Sequence, residues 1–408
     1  MSLLEKAKKL NSDEIFGGDK TIWMVLFLLS VISVVEVYSA SSNMSYKTGA
    51  FWEPAVGHLR NVLLGWALAI FFCRRQCTHF KLIPLFFGPF AIAMLVYAMF
   101  FGESVNGAAR WVLGFQPSEM AKGVLVATIA LILSLCYDQE KDAVTQRGFN
   151  ICAIVTGVTC LLILPENLST AVLTGAVVFL LMLVGRANWK YLSGIFLAFA
   201  LTGTLALVFM RTAPMSTIKT VSEVTALHRL PTWANRIRSA SNDDVSPDKL
   251  DMNKDQQVIH AKIAVATSGL VGKGPGKSVE RDYLPQAYAD FIFAIIIEEF
   301  GLLGGLCVVS LYIILLFRAG IIAARCERRF PALLCMGMAM LIVLQAMINV
   351  CVCVGLLPVT GQQLPLVSRG GTGFILNCAY VGIILSISRT ARKTPDADDV
   401  QPILIDNN

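Results

Sequence analysis

The stretch Tyr283-Leu284-Pro285-Gln286-Ala287-Tyr288-Ala289-Asp290-Phe291-Ile292-Phe293 carries one carboxylate in an otherwise apolar run. Pro285 can start a helix there, which would place Asp290 about one turn inside it. Acids within membrane-length apolar segments are uncommon and usually mark a pathway or a site. The helix N-terminus favours the anion and burial favours the neutral acid, so the charge state stays open, as does a plain capping role at the interface. Glu298 and Glu299 fall further along the same helix and need protein partners; a hydrogen-bonded structural pair between helices is the preferred reading.

A second cluster runs through Asn106-Gly107-Ala108-Ala109-Arg110-Trp111 to Gln116-Pro117-Ser118-Glu119-Met120-Ala121-Lys122. Ser118 fits a helix N-cap and Glu119 matches the helix dipole. Lys122 does not match it. A cation in the first turn suits a site where Lys122, Arg110 and helix amides hold phosphate, against the alternative that both side chains snorkel to lipid head groups. The third cluster, from Gly355 to Gly373, is apolar but broken by Gly and Pro, which suits irregular backbone lining a cavity; Ser368 and Arg369 can face a polar substrate there. That pattern alone discriminates no chemistry.

The elements that must position these residues are membrane spans. Of 408 residues, 55% are hydrophobic and 15% charged, well below the roughly 25% charged typical of soluble domains. The expectation is an all-α integral membrane protein with about ten transmembrane helices, near 21–40, 58–73, 82–101, 119–137, 149–164, 169–185, 191–210, 286–317, 331–354 and 371–388. The first run is too long for a signal-peptide core and is expected to stay as an anchor.

Basic residues cluster in alternate connections: Arg74, Arg75 and Lys81; Lys141 and Arg147; Arg186 and Lys190; Arg318, Arg325, Arg328 and Arg329; Arg389, Arg392 and Lys393. The positive-inside rule puts these in the cytoplasm with both termini. A large extracytoplasmic loop, 211–285, then separates helices 7 and 8, and its length suggests a functional element. Residues 1–393 form one polytopic domain, and 394–408 read as a disordered cytoplasmic tail. The eleven cysteines lie in apolar runs or short basic connections, with neither a zinc spacing nor a disulfide framework.

Taken together, the clusters resemble the SEDS family (shape, elongation, division and sporulation) over nearly the whole chain. The resemblance rests on N-G-x-x-R-W and Q-P-S-E-x-x-K at Asn106 to Lys122, Y-L-P-x-A-x-x-D-F-I-F-A at Tyr283 to Ala294 and E-E-x-G-x-x-G at Glu298 to Gly304. It extends through Asn349 to Gly371. Gly272 to Val279 is more similar to the division-type, FtsW-like branch than to the elongation-type, RodA-like branch.

The resemblance implies a peptidoglycan glycosyltransferase that joins lipid II units at the outer face of the cytoplasmic membrane during septal wall synthesis. It also implies a class B penicillin-binding protein and other divisome proteins as partners, beside membrane lipids; nothing suggests nucleic acid. The family's essential aspartate falls on Asp290, and its exterior basic residues fall on Arg110 and Lys122. Gln257, Arg236, Ser368 and Arg369 are further candidates for sugar or phosphate contacts. No metal site or cofactor is expected, although a divalent cation on the diphosphate is left open. The sequence departs from the family at Tyr288-Ala289 before the aspartate, at His260 in the large loop, at Arg369, and at Pro165 to Thr170.

The chemistry fits this residue set. A sugar hydroxyl must be relieved of its proton by a general base, whereas a lipid diphosphate leaves without protonation when cations stabilise it. Two other classes compete: a lipid II flippase, and a non-catalytic scaffold for which Asp290 is dispensable.

Overall fold

The computed structural model describes residues 16–40, 53–105, 108–112, 115–165, 167–224, 229–241, 256–284 and 288–391. The expected tail at 394–408 lies outside them. Helices α1 (Lys20–Ala40), α2 (Glu53–Cys73), α3 (Ile83–Phe101), α4 (Pro117–Leu135), α5 (Gln146–Ile163), α6 (Leu168–Val184) and α7 (Trp189–Thr212) come first. Three shorter helices follow, α8 (Met215–Val224), α9 (Leu230–Ser241) and α10 (Gln256–Thr267). Long helices α11 (Ile292–Arg325), α12 (Arg329–Cys353) and α13 (Gly371–Thr390) complete the bundle. Hairpin strands β1 (Glu103–Val105) and β2 (Ala108–Trp111) join α3 to α4, and β3 (Tyr137–Asp138) and β4 (Ala143–Val144) join α4 to α5.

Among the described residues nine helices are long and apolar enough to cross a bilayer, and α6 is a shorter apolar one. Nine of these coincide with expected spans and the tenth overlaps the one expected at 286–317, so the chain is a multi-pass membrane protein. The starts follow local chemistry. Asn167 caps α6 by accepting from Thr170 N at 3.2 Å, and Asn188 caps α7 by accepting from Lys190 N at 3.1 Å. Asp19 caps α1 with one oxygen, accepting from Thr21 N at 2.9 Å, and pairs with Arg318 through the other. All eleven cysteines are free thiols.

Helix α12 is central, packing on α4, α6, α11 and α13. At the other extreme, α7 buries only Leu192 and Met210 and offers the rest of its surface to lipid. Helices α2 and α13 lie side by side and parallel. A β-carbon on Gly65 would meet Phe374 and Cys378, one on Gly382 would meet Ala69, and Arg389 Nη1 donates to Cys73 O at 3.2 Å. One end of the bundle gathers the basic connections. There Arg318 joins Asp19, Lys81 lies 5.9 Å from the Phe330 ring centroid, and Arg329 lies 3.0 Å from that of Tyr137. The opposite end carries Ser39, the segment 268–280 and Gly301.

The span expected at 286–317 differs from what is found. Residues 288–291 form a turn, the helix begins at Ile292, and it breaks at Gly301, whose φ of 72° lies in the left-handed region. The two halves fold back on each other. A β-carbon at Gly305 would lie 2.8 Å from Ile297 Cγ1 and 3.5 Å from Phe293 Cζ, whereas twelve residues of straight helix would separate Phe293 from Gly305 by about 18 Å.

A break in a membrane helix orphans carbonyls on one side and amides on the other. Segment 269–274 satisfies both. Lys273 N and Gly274 N donate to the carbonyls of Glu298 and Glu299, each at 2.9 Å, while Leu302 N and Leu303 N donate to Gly269 O and Leu270 O at 3.1 and 3.3 Å. The approach is close enough to require glycine on both sides: a β-carbon at Gly272 would sit 2.4 Å from Glu299 O, and one at Gly301 2.2 Å from Leu270 O.

The two carboxylates at the break are fully buried. Glu298 accepts from Lys273 Nζ at 2.6 Å, Val279 N at 3.1 Å and the Ser278 hydroxyl. Glu299 accepts from Gly276 N at 2.8 Å and from the Ser39 hydroxyl, with Arg281 Nη1 at 3.8 Å. Their partners are therefore the large loop and the end of α1.

Candidate active site

Asp290 stands in the turn ahead of α11, at the far end of the folded-back half-helix from Gly301. Its depth can be read along α1. Ser39 bonds Glu299 beside the break, and six residues earlier, about 9 Å along the helix, Ser33 Oγ donates to Val367 O at 2.7 Å. Ser368, the next residue, bonds the Asp290 turn. The half-helix is thus re-entrant and delivers Asp290 into the bundle rather than to its rim.

Three successive carbonyls fix the turn. Tyr288 O accepts from Arg369 N at 3.0 Å, Ala289 O from Ser368 Oγ at 2.6 Å, and Asp290 O from Asn349 Nδ2 at 2.8 Å, with Cys353 Sγ at 3.6 Å from the last. The turn is therefore held through its backbone. Asp290 is half-buried. Arg236 of α9 lies within electrostatic reach of it; burial lowers the arginine's pKa from its ordinary value, and the Asp290 charge opposes that shift. Arg236 Nη1 also donates to Val359 O at 3.0 Å.

The broken segment 358–370 has no regular structure, and side chains from four helices satisfy its backbone. Asn349 Nδ2 and Gln345 Nε2, one turn apart on α12, donate to Gln362 O at 2.7 Å and Gln363 O at 3.1 Å. Tyr312 of α11 donates to Pro365 O, and Ser33 of α1 to Val367 O. Gln362 Nε2 in turn donates to Thr170 Oγ1 of α6 at 2.7 Å. Pairing of this kind is what irregular backbone at membrane depth requires.

Two expectations change here. Ser368 does not face a substrate: it is 3% exposed, and its hydroxyl both donates to Ala289 O and accepts from Leu364 N at 2.8 Å. Lys122 is fully buried, its ammonium donating to Glu119 Oε1 at 2.8 Å and Gln345 Oε1 at 2.7 Å. In this conformation it has no surface to offer a diphosphate. It orients the Gln345 amide, whose nitrogen then reaches Gln363 O.

The structure thus brings Asp290, Arg236, Ser368 and Arg369 together and ties Lys122 to them through Gln345. Arg369 places its guanidinium 5.3 Å from the Tyr288 ring centroid. Arg110 is carried separately on β2, whereas Gln257 is half-buried on α10, one turn before His260. His260 Nδ1 lies 2.5 Å from Glu280 Oε2, and its ring stacks on Tyr283 at 5.1 Å. Asn106, Pro285, Gln286 and Ala287 lie outside the described residues. Reasoning from sequence missed the roles of Gln345 and Asn349. Their i, i+4 spacing on an otherwise apolar span was the available signal.

Comparison with known proteins places this geometry. The family model described as a cell cycle protein of the FtsW, RodA and SpoVE type matches residues 19–393. A probable peptidoglycan glycosyltransferase FtsW from Geobacter sp. (strain M18) is 32% identical over 393 residues, covering 92% of this chain and 98% of that one. One of the same description from Legionella pneumophila is 32% identical, covering 92% and 91%.

Among solved structures, the Thermus thermophilus rod shape determining protein RodA is similar at a TM-score of 0.63 and 22% identity, covering 93% of this chain and 99% of that chain. A chain from a peptidoglycan synthase complex that coordinates polymerization and crosslinking is similar at 0.69 and 24%, covering 92% and 98%. The chain described here belongs to the FtsW/RodA/SpoVE family of cell cycle membrane proteins.

Proposed function

We propose that this protein is a peptidoglycan glycosyltransferase that polymerises lipid II, with Asp290 as general base. In this reading the end bearing Ser39 and the loop 268–280 faces the cell exterior, the arginine-rich end faces the cytoplasm, and the enzyme acts at the division septum beside a class B penicillin-binding protein. The observation that carries the reading is the backbone-held turn: Asp290 is fixed by its own and its neighbours' carbonyls, half-buried inside the bundle and within electrostatic reach of Arg236.

In the reaction the 4-hydroxyl oxygen of one unit bonds to the anomeric carbon of another as the bond from that carbon to the diphosphate oxygen breaks. The hydroxyl proton passes to the Asp290 carboxylate, and the lipid diphosphate departs as an anion. Arg236 lies within electrostatic reach of the carboxylate, as the opposing effect of Asp290 on the arginine's pKa shows. Arg110, Arg369 and Gln257 contact sugar or diphosphate, and Lys122 acts through Gln345 on the segment that carries Arg369.

Purified protein in detergent, given lipid II, should yield glycan, and Asp290→Asn should not. Detergent removes the two sides a transporter needs, so product formed there excludes the flippase reading. An Asp290→Asn protein that polymerises at the parent rate would remove the base from the scheme.

A further inference from the structure

The reaction just proposed releases a diphosphate, and Lys122, the residue expected to meet it, is occupied elsewhere. The first turn of α13 has the groups to take its place. The helix runs twenty residues from Gly371. Among the described residues no acceptor is found for the amides of Gly371, Thr372 or Gly373, which are the orphan donors of a helix start. Among them, too, the buried hydroxyl of Thr372 has no partner. Gly370, Gly371 and Gly373 bring no side chains of their own; the Gln363 carboxamide lies against Gly370 and Gly373, the position at Gly371 is open, and Arg369 sits one residue ahead of the cap.

A second, independent observation comes from α2. His58 is 1% exposed, its Nε2 is engaged with Ser33 Oγ at 2.7 Å, and its Nδ1 has no partner among the described residues. The parallel register of α2 and α13, with Gly65 opposite Phe374 and Cys378, brings His58 level with the first turn of α13. Its ring meets Phe374 edge-on at 5.6 Å, and it lies within electrostatic reach of Arg369. Buried polar atoms are almost always partnered. Here two unpartnered ones, on different helices, lie at the level of a helix N-terminus that already favours an anion.

The geometry points to the first turn of α13, with Arg369, Thr372 and His58, as the site that binds the diphosphate of the lipid-linked sugar. This assignment rests on the glycosyltransferase reading for the ligand's source, but the anion site itself does not depend on turnover. It lies next to the base: Arg369 N and Ser368 Oγ bond Tyr288 O and Ala289 O, the two residues preceding Asp290. A donor whose diphosphate rests on this turn would present its anomeric carbon toward Asp290. The Asp290 carboxylate lies beside this position, and Arg236 is within electrostatic reach of it.

The test uses full-length protein in detergent, labelled with 15N-histidine; the chain has four histidines. Adding inorganic diphosphate should move one histidine resonance, the one missing from His58→Phe. Thr372→Val, and Gly371→Pro, which removes one amide while keeping a proline-tolerant helix position, should each weaken that titration at least tenfold while thermal unfolding without ligand stays close to the parent. Undecaprenyl diphosphate competing more tightly than inorganic diphosphate identifies the lipid as the source; equal competition identifies free diphosphate. Acetate should not compete.

If no histidine resonance of the parent protein moves, or if both variants titrate like the parent, the site is wrong, whatever the polymerisation assay gives. A parent that binds diphosphate at this turn yet makes no glycan would keep the site and sink the glycosyltransferase reading instead.

Discussion

Asn349→Leu is the sharpest test of how the turn at Asp290 is held. Its amide nitrogen donates to two carbonyls, Asp290 O at 2.8 Å and Gln362 O at 2.7 Å, and the residue is 1% exposed. Leucine keeps the volume and removes both donors. Each buried acceptor left unpaired costs about 1–3 kcal/mol, and because the two share one donor the sum is set at about 2–4 kcal/mol.

If that energy is lost from the geometry of the base, the rate falls by about 30- to 900-fold at 1.36 kcal/mol per decade. The assay is glycan formation by purified protein on lipid II under saturating substrate, with thermal unfolding measured on the same sample. The expected result is a fall in kcat with a small change in KM, because the base is displaced and the substrate contacts are not. Polymerisation within twofold of the parent would refute the reasoning that this amide positions Asp290.

Other perturbations follow from the same contacts. Asp290→Asn should lower polymerisation by about 10²- to 10⁴-fold, the usual contribution of a general base, without shifting the unfolding midpoint, because backbone carbonyls hold the turn. Lys122→Met should destabilise the protein by about 3–5 kcal/mol by leaving Glu119 buried and unpaired. Adding Glu119→Gln should recover most of that loss in the same unfolding measurement, and a double variant no more stable than the single one would contradict the pairing. Gly301→Ala should depress the yield of folded, detergent-stable protein, since a φ of 72° costs a β-carbon residue about 1–3 kcal/mol and the new atom would also strike Leu270 O; size-exclusion profiles matching the parent's would count against the tight approach.

The spans were legible because each is a run of apolar residues long enough for a bilayer, a property no tertiary contact alters. The start of α11 was not. Proline at a first turn is a good local rule, but the backbone at 288–291 is bent by hydrogen bonds from Asn349, Ser368 and Arg369, all far along the chain. The break at Gly301 was hidden for a similar reason, since glycine is ordinary in membrane helices and only the approach of residues 269–274 makes this one bend. Lys122 was read from its own helix as an open cation, whereas its partner Gln345 is 223 residues away. Asp290 could be singled out as a candidate because a carboxylate in an apolar run is informative from its own residue type. Asn349 and Gln345 act by bonding distant carbonyls, which sequence spacing does not display.

The parallel contact between α2 and α13 also orders the protein's assembly in time. Helix α13 emerges from the ribosome after every other described helix, and it supplies the wall against α2, the clasp of Arg389 on Cys73 O, and the glycine turn beside Asp290's anchor. A chain still being made therefore contains its acid but not the enclosure that gives the acid a purpose.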